Sequence, residues 1–178
     1  MEFSYEITEQ DYIDFNLDYF NKNAIAQRSV LITRIASALI VIFGGTALLY
    51  LLHAFRLVSF LVYIALAIFC FFITPWYMKR KIITNVKRIL QKANNKSICG
   101  AKTLYLRENE FELTGENEDT IYQYEAVQRT STDENHYYIF VDTFSALIIP
   151  FSAFSNEEQK QEFYRRITAH ITDEALKC

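Results

Sequence analysis

Three histidines, three cysteines and a short run of alternating glutamates are the residues of this chain that could do chemistry. His53, His136 and His170 lie far apart, and Cys70, Cys99 and Cys178 show no CxxC or mixed Cys/His spacing, so no metal site is expected. Cys70 falls in a long apolar run, and Cys99 and Cys178 in segments expected to face a reducing compartment, so no disulfide is expected either. His136, beside Tyr137 and Tyr138, has the chemistry of a general base, but it follows a turn at the start of a strand and is read as a solvated side chain. Glu108, Glu110 and Glu112 alternate and are read as facing water, and nothing selects two carboxylates as an acid/base pair. With four glycines in all, there is little from which to build a phosphate-cradling loop, and no GxSxG elbow is present. The expectation is a non-enzymatic protein without a cofactor.

Charge and hydropathy are more informative. The formal net charge of -3 and mean hydropathy of +0.03 suggest an ordinary soluble chain. Yet the first 18 residues hold six acids and no base, residues 19–107 thirteen bases and no acid, and residues 108–178 fifteen acids against five bases. Inside the basic stretch, His53 and Arg56 separate two uncharged runs, residues 35–52 and 57–78. At about 1.5 Å per helical residue these reach roughly 27 and 33 Å, which brackets the ~30 Å hydrocarbon core of a bilayer. Neither run has a polar stripe, and neither contains Asp, Glu, Lys or Arg, which argues against an ion pathway or a coupled transporter. The connection His53-Ala54-Phe55-Arg56 permits only an antiparallel hairpin. Lys22, Arg28 and Arg34 precede it and Lys79, Arg80 and Lys81 follow it, so the positive-inside rule places both termini in the cytoplasm. Trp76 and Tyr77 suit the interface, Pro75 should kink only the last turns, and Gly44 and Gly45 leave room for a close helix approach. The early acids and late apolar start argue against a cleaved signal peptide.

Residues 79–95 (KRKIITNVKRILQKANN) set Ile82, Ile83, Val86, Ile89 and Leu90 at the helical period against Lys79, Arg80, Lys81, Lys87, Arg88 and Lys92. These six bases are the candidate contact with anionic lipid, at about 1 kcal/mol each near a charged leaflet before screening. They are read equally well as residues that only fix topology and solvate a stalk. Nucleic acid is not expected as a partner, because lipid is the nearer polyanion.

Beyond residue 99 short alternating runs at 102–107, 110–114, 120–124, 127–130, 136–142 and 146–150 predict the strands of an antiparallel meander. Ser155-Asn156-Glu157-Glu158 predicts a capping box with Ser155 as the cap, opening a helix with Phe163, Ile167 and Ile171 on one face and Tyr164 at its edge. At the other end, residues 3–7 alternate like a strand, and Thr8 with Asp11 resembles a cap opening a helix that contains Tyr12, Ile13 and Phe15. With both termini on one side, this segment is expected to pack on the C-terminal module as an added edge strand.

The chain resembles the YcxB-like family of bacterial membrane proteins. The resemblance is carried by the opening YEITEQDYIDFN, the two-span hairpin, and the run TIYQYEAVQRT, YYIFVD and LIIPFSAFSNEEQKQEFYRRI, with Ile149-Pro150 and Phe154 matching best. Tyr124 stands where relatives often have Trp. The resemblance implies a C-terminal domain similar to bacterial pleckstrin-homology-like modules, with a binding or scaffolding role and no activity to carry over. The resulting expectation is a membrane α+β protein: a strand and amphipathic helix (1–34), a transmembrane hairpin (35–78), a basic stalk helix (79–98) and a small antiparallel-sheet domain with a C-terminal capping helix (99–178). It would sit in the bacterial inner membrane as a multi-pass protein, contacting the bilayer and a protein partner. The alternative is an immunity protein that protects against a membrane-directed toxin.

Overall fold

The computed structural model describes residues 1–53, 56–92, 98–116, 118–142 and 145–169. The chain divides into two compact units, one formed by Met1–Phe15 with Val86–Cys178 and the other by Asn16–Asn85.

In the first unit, β1 (Glu2–Ile7) alternates cleanly, with Phe3, Tyr5 and Ile7 buried and their neighbours exposed. It pairs antiparallel with β2 (Gly100–Leu106), Phe3 opposite Leu104 and Ile7 opposite Gly100, and so adds the edge strand expected from the sequence. Two further strands, β3 (Glu110–Gly115) and β4 (Glu118–Gln123), complete a sheet in the order β1-β2-β3-β4. A second sheet follows, β5 (Arg129–Thr132), β6 (His136–Phe140) and β7 (Ala146–Pro150). The single meander of the sequence reading is therefore split in two. The break is a 3-10 turn over Tyr124–Ala126, where Tyr124 is 2% exposed and its hydroxyl donates to the Arg107 carbonyl at 3.0 Å. That anchored ring turns the chain out of β4, and the strand expected at 127–130 starts instead at Arg129.

Two caps set the helices of this unit. At the start of α1 (Glu9–Lys22), Thr8 Oγ1 accepts the Asp11 N–H at 3.2 Å, and Asp11 Oδ2 accepts the Thr8 N–H at 2.7 Å, a reciprocal box at the position where the sequence suggests a cap. At α4 (Glu157–Thr168) the box lies one residue later than predicted. Asn156, not Ser155, is the cap: its Oδ1 accepts the Gln159 N–H, while Gln159 Oε1 accepts the Ser155 N–H, both at 2.8 Å. Asn is at least as good a cap as Ser, and this register puts Phe163 and Ile167 inward at 1% exposure each. Ile171 lies outside the described residues. Phe3 packs edge-on against Phe154 and Phe163 with ring centroids 5.2 and 5.4 Å apart, so the first strand and the last helix share one aromatic core.

The second unit is dominated by α2 (Ala24–Leu51), which starts well before residue 35, and by the apolar part of α3 (Leu57–Leu90). The second apolar run continues into the basic segment as one helix through Pro75; residues 93–97 lie outside the described residues. Both helices are long and apolar enough to cross a membrane, and few of their residues are buried by the protein itself. Ile40, Phe43 and Phe72 are 71%, 68% and 68% exposed, the reverse of a soluble core helix. At Gly45 a β-carbon would overlap the Tyr63 ring, so this glycine permits the close approach expected of it, whereas Gly44 faces open space.

Pro75 has no N–H to give the carbonyl four residues earlier, that of Phe71. Arg34 Nε donates to that oxygen at 3.0 Å, and its guanidinium lies 4.1 Å from the Phe71 ring centre. The carbonyl left without its backbone donor is thus satisfied by the neighbouring helix.

Two substitutions test this packing. Phe3→Ala should destabilise the first unit by about 3–5 kcal/mol, read from denaturant unfolding of the full chain in detergent. Arg34→Met leaves the Phe71 carbonyl without its donor and should weaken the helix pair by about 1–3 kcal/mol, with Arg34→Lys restoring part of the loss, as measured by unfolding in bicelles.

Candidate functional site

The six bases singled out by the sequence are divided between the two units. Lys79, Arg80 and Lys81 belong to the second unit and are exposed, with the Arg80 guanidinium 4.2 Å from the Trp76 ring centre. Lys87, Arg88 and Lys92 belong to the first unit and are also exposed. Lys87 lies 3.3 Å from Glu9, a bridge between half-exposed partners that contributes less than about 1 kcal/mol.

His136 differs sharply from its sequence reading. It is 3% exposed and clasped between two carboxylates, not solvated. Its position in β6 shares strand parity with buried Tyr138 and Phe140, which turns the ring inward. Nε2 lies 2.9 Å from Asp11 Oδ1, and Nδ1 lies 3.0 and 3.1 Å from the two oxygens of Asp133. Asp133 also accepts the backbone N–H groups of Asn135 and His136 at 2.8 and 2.7 Å and the Tyr138 hydroxyl. A neutral imidazole can donate to only one of two carboxylates, so both bonds are made only by the imidazolium. Burial alone would push the His136 pKa down; the hydrogen bonds to Asp11 and Asp133, reinforced by their charges, outweigh it and hold the pKa above the ordinary value. For Asp11 and Asp133 burial pushes up, and it is outweighed by the Thr8 backbone bond for the first, the Tyr138 hydroxyl for the second, and His136 for both, leaving each below the usual carboxylate range. With both ring nitrogens committed, the group acts as a clasp between α1 and the turn before β6, not as a general base.

A cleft of about 220 Å³ is formed entirely within the first unit. Tyr5 and Ile7 of β1, Leu113 of β3 and Leu147 and Ile148 of β7 make its buried wall, and Tyr12, Tyr122, Ile98 and Ser145 its more open rim. Lys102 lines it as well and is 5% exposed. By sequence Lys102 counts only among the bases of the stretch available to an anionic leaflet, although the signal for burial was there: it has the same strand parity as Leu104 and Leu106, which face the core.

Other candidates are displaced from chemistry. The Cys99 thiol is pushed up by burial and then by the charges of Glu9 and Asp11, against the opposing Lys102, so it stays protonated rather than nucleophilic. Arg107 holds both Glu110 and Glu112 in ion pairs. His53 ends α2 in the left-handed region with φ 51°, and His170 and Cys178 lie outside the described residues. Among the described residues, no group of three or more His, Cys, Asp or Glu could hold a metal ion.

Two long apolar helices joined in one chain to a small module of two antiparallel sheets and a terminal helix define the class of protein. Within it, residues 106–165, from the end of β2 into α4, match the family model described as YcxB-like protein, so the resemblance read from the sequence holds over that segment. No curated protein and no solved structure matches the chain.

The clasp predicts a definite pH response. Because the folded His136 pKa is raised, its stabilisation is complete below the unfolded value near 6.5 and is lost as pH rises through the folded value. The two aspartates contribute in the opposite sense: their stabilisation is present above about 3.8 and lost as pH falls through their depressed folded values. The thermal midpoint of the first unit should therefore decline as pH is raised above 6.5. His136→Asn should lower the midpoint and flatten that decline, and a wild-type profile already flat there would contradict the clasp.

Proposed function

We propose that this chain is a two-span protein of the bacterial cytoplasmic membrane, with both termini in the cytoplasm, that holds a small non-enzymatic binding module against the bilayer surface. The observation that carries the reading is the pairing of β1 with β2. Two strands of one sheet must lie on the same side of a membrane, so the intervening chain must cross it an even number of times. Two helices of spanning length lie in that interval.

Exposed Lys79, Arg80 and Lys81 at the end of the second apolar run support a cytoplasmic exit. These residues, with Lys87, Arg88 and Lys92, are suited to anionic headgroups. The paired sheets closed by a terminal helix are compatible with the pleckstrin-homology-like module implied by the family resemblance, and the working role is recognition of a protein partner at the membrane.

Topology reporters provide the test. A fusion after residue 178 should report cytoplasm, and one inserted within residues 53–56 should report the exterior; the reverse result would overturn the orientation. Replacing Lys79, Arg80 and Lys81 together by Gln should produce a measurable fraction of inverted molecules.

A further inference from the structure

The two ends of the sheet β1-β2-β3-β4 are treated differently. At one end β1 lies against β7 and the 3-10 turn Phe151–Ala153. At the other, among the described residues, no strand pairs with the far side of β4. Such an edge presents backbone donors and acceptors to any strand that reaches it, and natural edges are ordinarily blunted by Lys, Pro or a covering element. β4 (Glu118–Gln123, EDTIYQ) contains no Lys, Arg or Pro. The edge strand of the second sheet contrasts with it: β5 is four residues long and lays the Arg129 guanidinium 3.6 Å from the Phe140 ring centre.

This edge also carries an apolar side chain outward. Tyr122 stacks on buried Phe111 with ring centroids 5.3 Å apart and marks the inner face, so Ile121, of opposite parity, lies on the outer one. At 56% exposure Ile121 is the most exposed large apolar residue described in the first unit. It ends a row of register partners across the outer face, Glu2, Tyr105, Glu112 and Ile121.

We propose that β4 pairs antiparallel with β4 of a second copy of this chain, Ile121 facing Ile121 across a two-fold axis, so that two four-stranded sheets join into one. Charge favours this occupant. The outer face of β4 bears one acid, Asp119, and the neighbouring Glu110 and Glu112 are already paired with Arg107, so a basic partner strand would find little to meet. Charge also selects the register. Centring the axis on Thr120 would set the Asp119 carboxylate against Ile121. Centring it on Tyr122 would draw in Tyr124, which is 2% exposed and already turned out of the strand. Centring it on Ile121 opposes exposed Asp119 with exposed Gln123, whose amide can donate to the carboxylate, and Thr120 with Tyr122. The two copies of Asp119 then stand about 14 Å apart, beyond the ~8 Å screening length of physiological salt. The contact is small beside a standard interface, and the association is of the transient class. This assignment goes beyond the membrane reading and is independent of it, since topology reporters and strand pairing can succeed or fail separately.

Disulfide trapping in the purified full chain tests the pairing, in bicelles and with Cys70, Cys99 and Cys178 replaced by Ser. Opposed residues of an antiparallel pair have Cα atoms about 4.5–5.5 Å apart, within disulfide reach. Ile121→Cys should oxidise to a covalent dimer. Asp119→Cys and Gln123→Cys should each fail to crosslink alone and should crosslink when mixed. Adding Ile121→Lys to both should abolish the mixed product, because two ammonium groups would meet at the axis. Gln123→Arg beside Ile121→Cys should raise the dimer fraction about threefold at low salt by meeting Asp119 of the other copy. Near-UV circular dichroism would show that each variant is folded. Absence of the Ile121→Cys dimer in folded protein, equal crosslinking by Asp119→Cys alone, a mixed product that survives Ile121→Lys, or a dimer fraction unmoved by Gln123→Arg would each overturn the assignment.

Discussion

The antiparallel contact between β1 and β2 is the interaction on which the rest of the first unit depends. It joins residues separated by 99 positions, with the Ser4 and Thr103 hydroxyls 3.2 Å apart and the Leu106 N–H donating to the Met1 carbonyl at 2.8 Å. Closing so long an interval costs conformational entropy, but the cost grows only slowly with loop length. The return is distributed: β1 delivers Phe3 to the aromatic core under α4, Tyr5 and Ile7 to the cleft wall, and, through the Thr8 cap, Asp11 to His136. Without β1, β2 would be an open edge and the clasp would lose one carboxylate.

Two buried cations in this unit are handled differently. His136 is enclosed by two carboxylates from separate elements, so its charge is compensated from within the chain and its position is fixed at both nitrogens. Lys102 lines the cleft of this unit, in register with Gly115 of β3. The first arrangement rigidifies the join between α1 and the second sheet. In the other unit the same logic governs a backbone group: Arg34 supplies the donor that Pro75 withholds.

What was legible in the sequence was local. The alternation of Phe3, Tyr5 and Ile7, the Thr8–Asp11 box, the long apolar runs and most strands follow from spacing alone, because the physics that produces them acts within a few residues. The cap of α4 was misplaced by one residue because Ser155 and Asn156 are both competent caps, and only the packing of Phe163 and Ile167 chooses between them. His136 was misread for a deeper reason. Its partner Asp11 is 125 residues away, and no window of sequence contains both. Lys102 was within reach of strand parity, but a lysine amid alternating apolar residues is ordinarily assigned to the solvent face. The split into two sheets turns on one buried tyrosine, Tyr124, whose anchoring oxygen belongs to a residue 17 positions earlier.

The same β1–β2 join imposes an order in time. Ser4 leaves the ribosome 99 residues ahead of Thr103, which at roughly 5–20 residues per second is an interval of about 5–20 seconds. During it Phe3, Tyr5 and Ile7 have no sheet to enter and Asp11 has no histidine to hold. The helices of the second unit are synthesised in that interval, so β1, made before them, is among the last elements to find its place, and completion of the sheet records that everything between has already emerged.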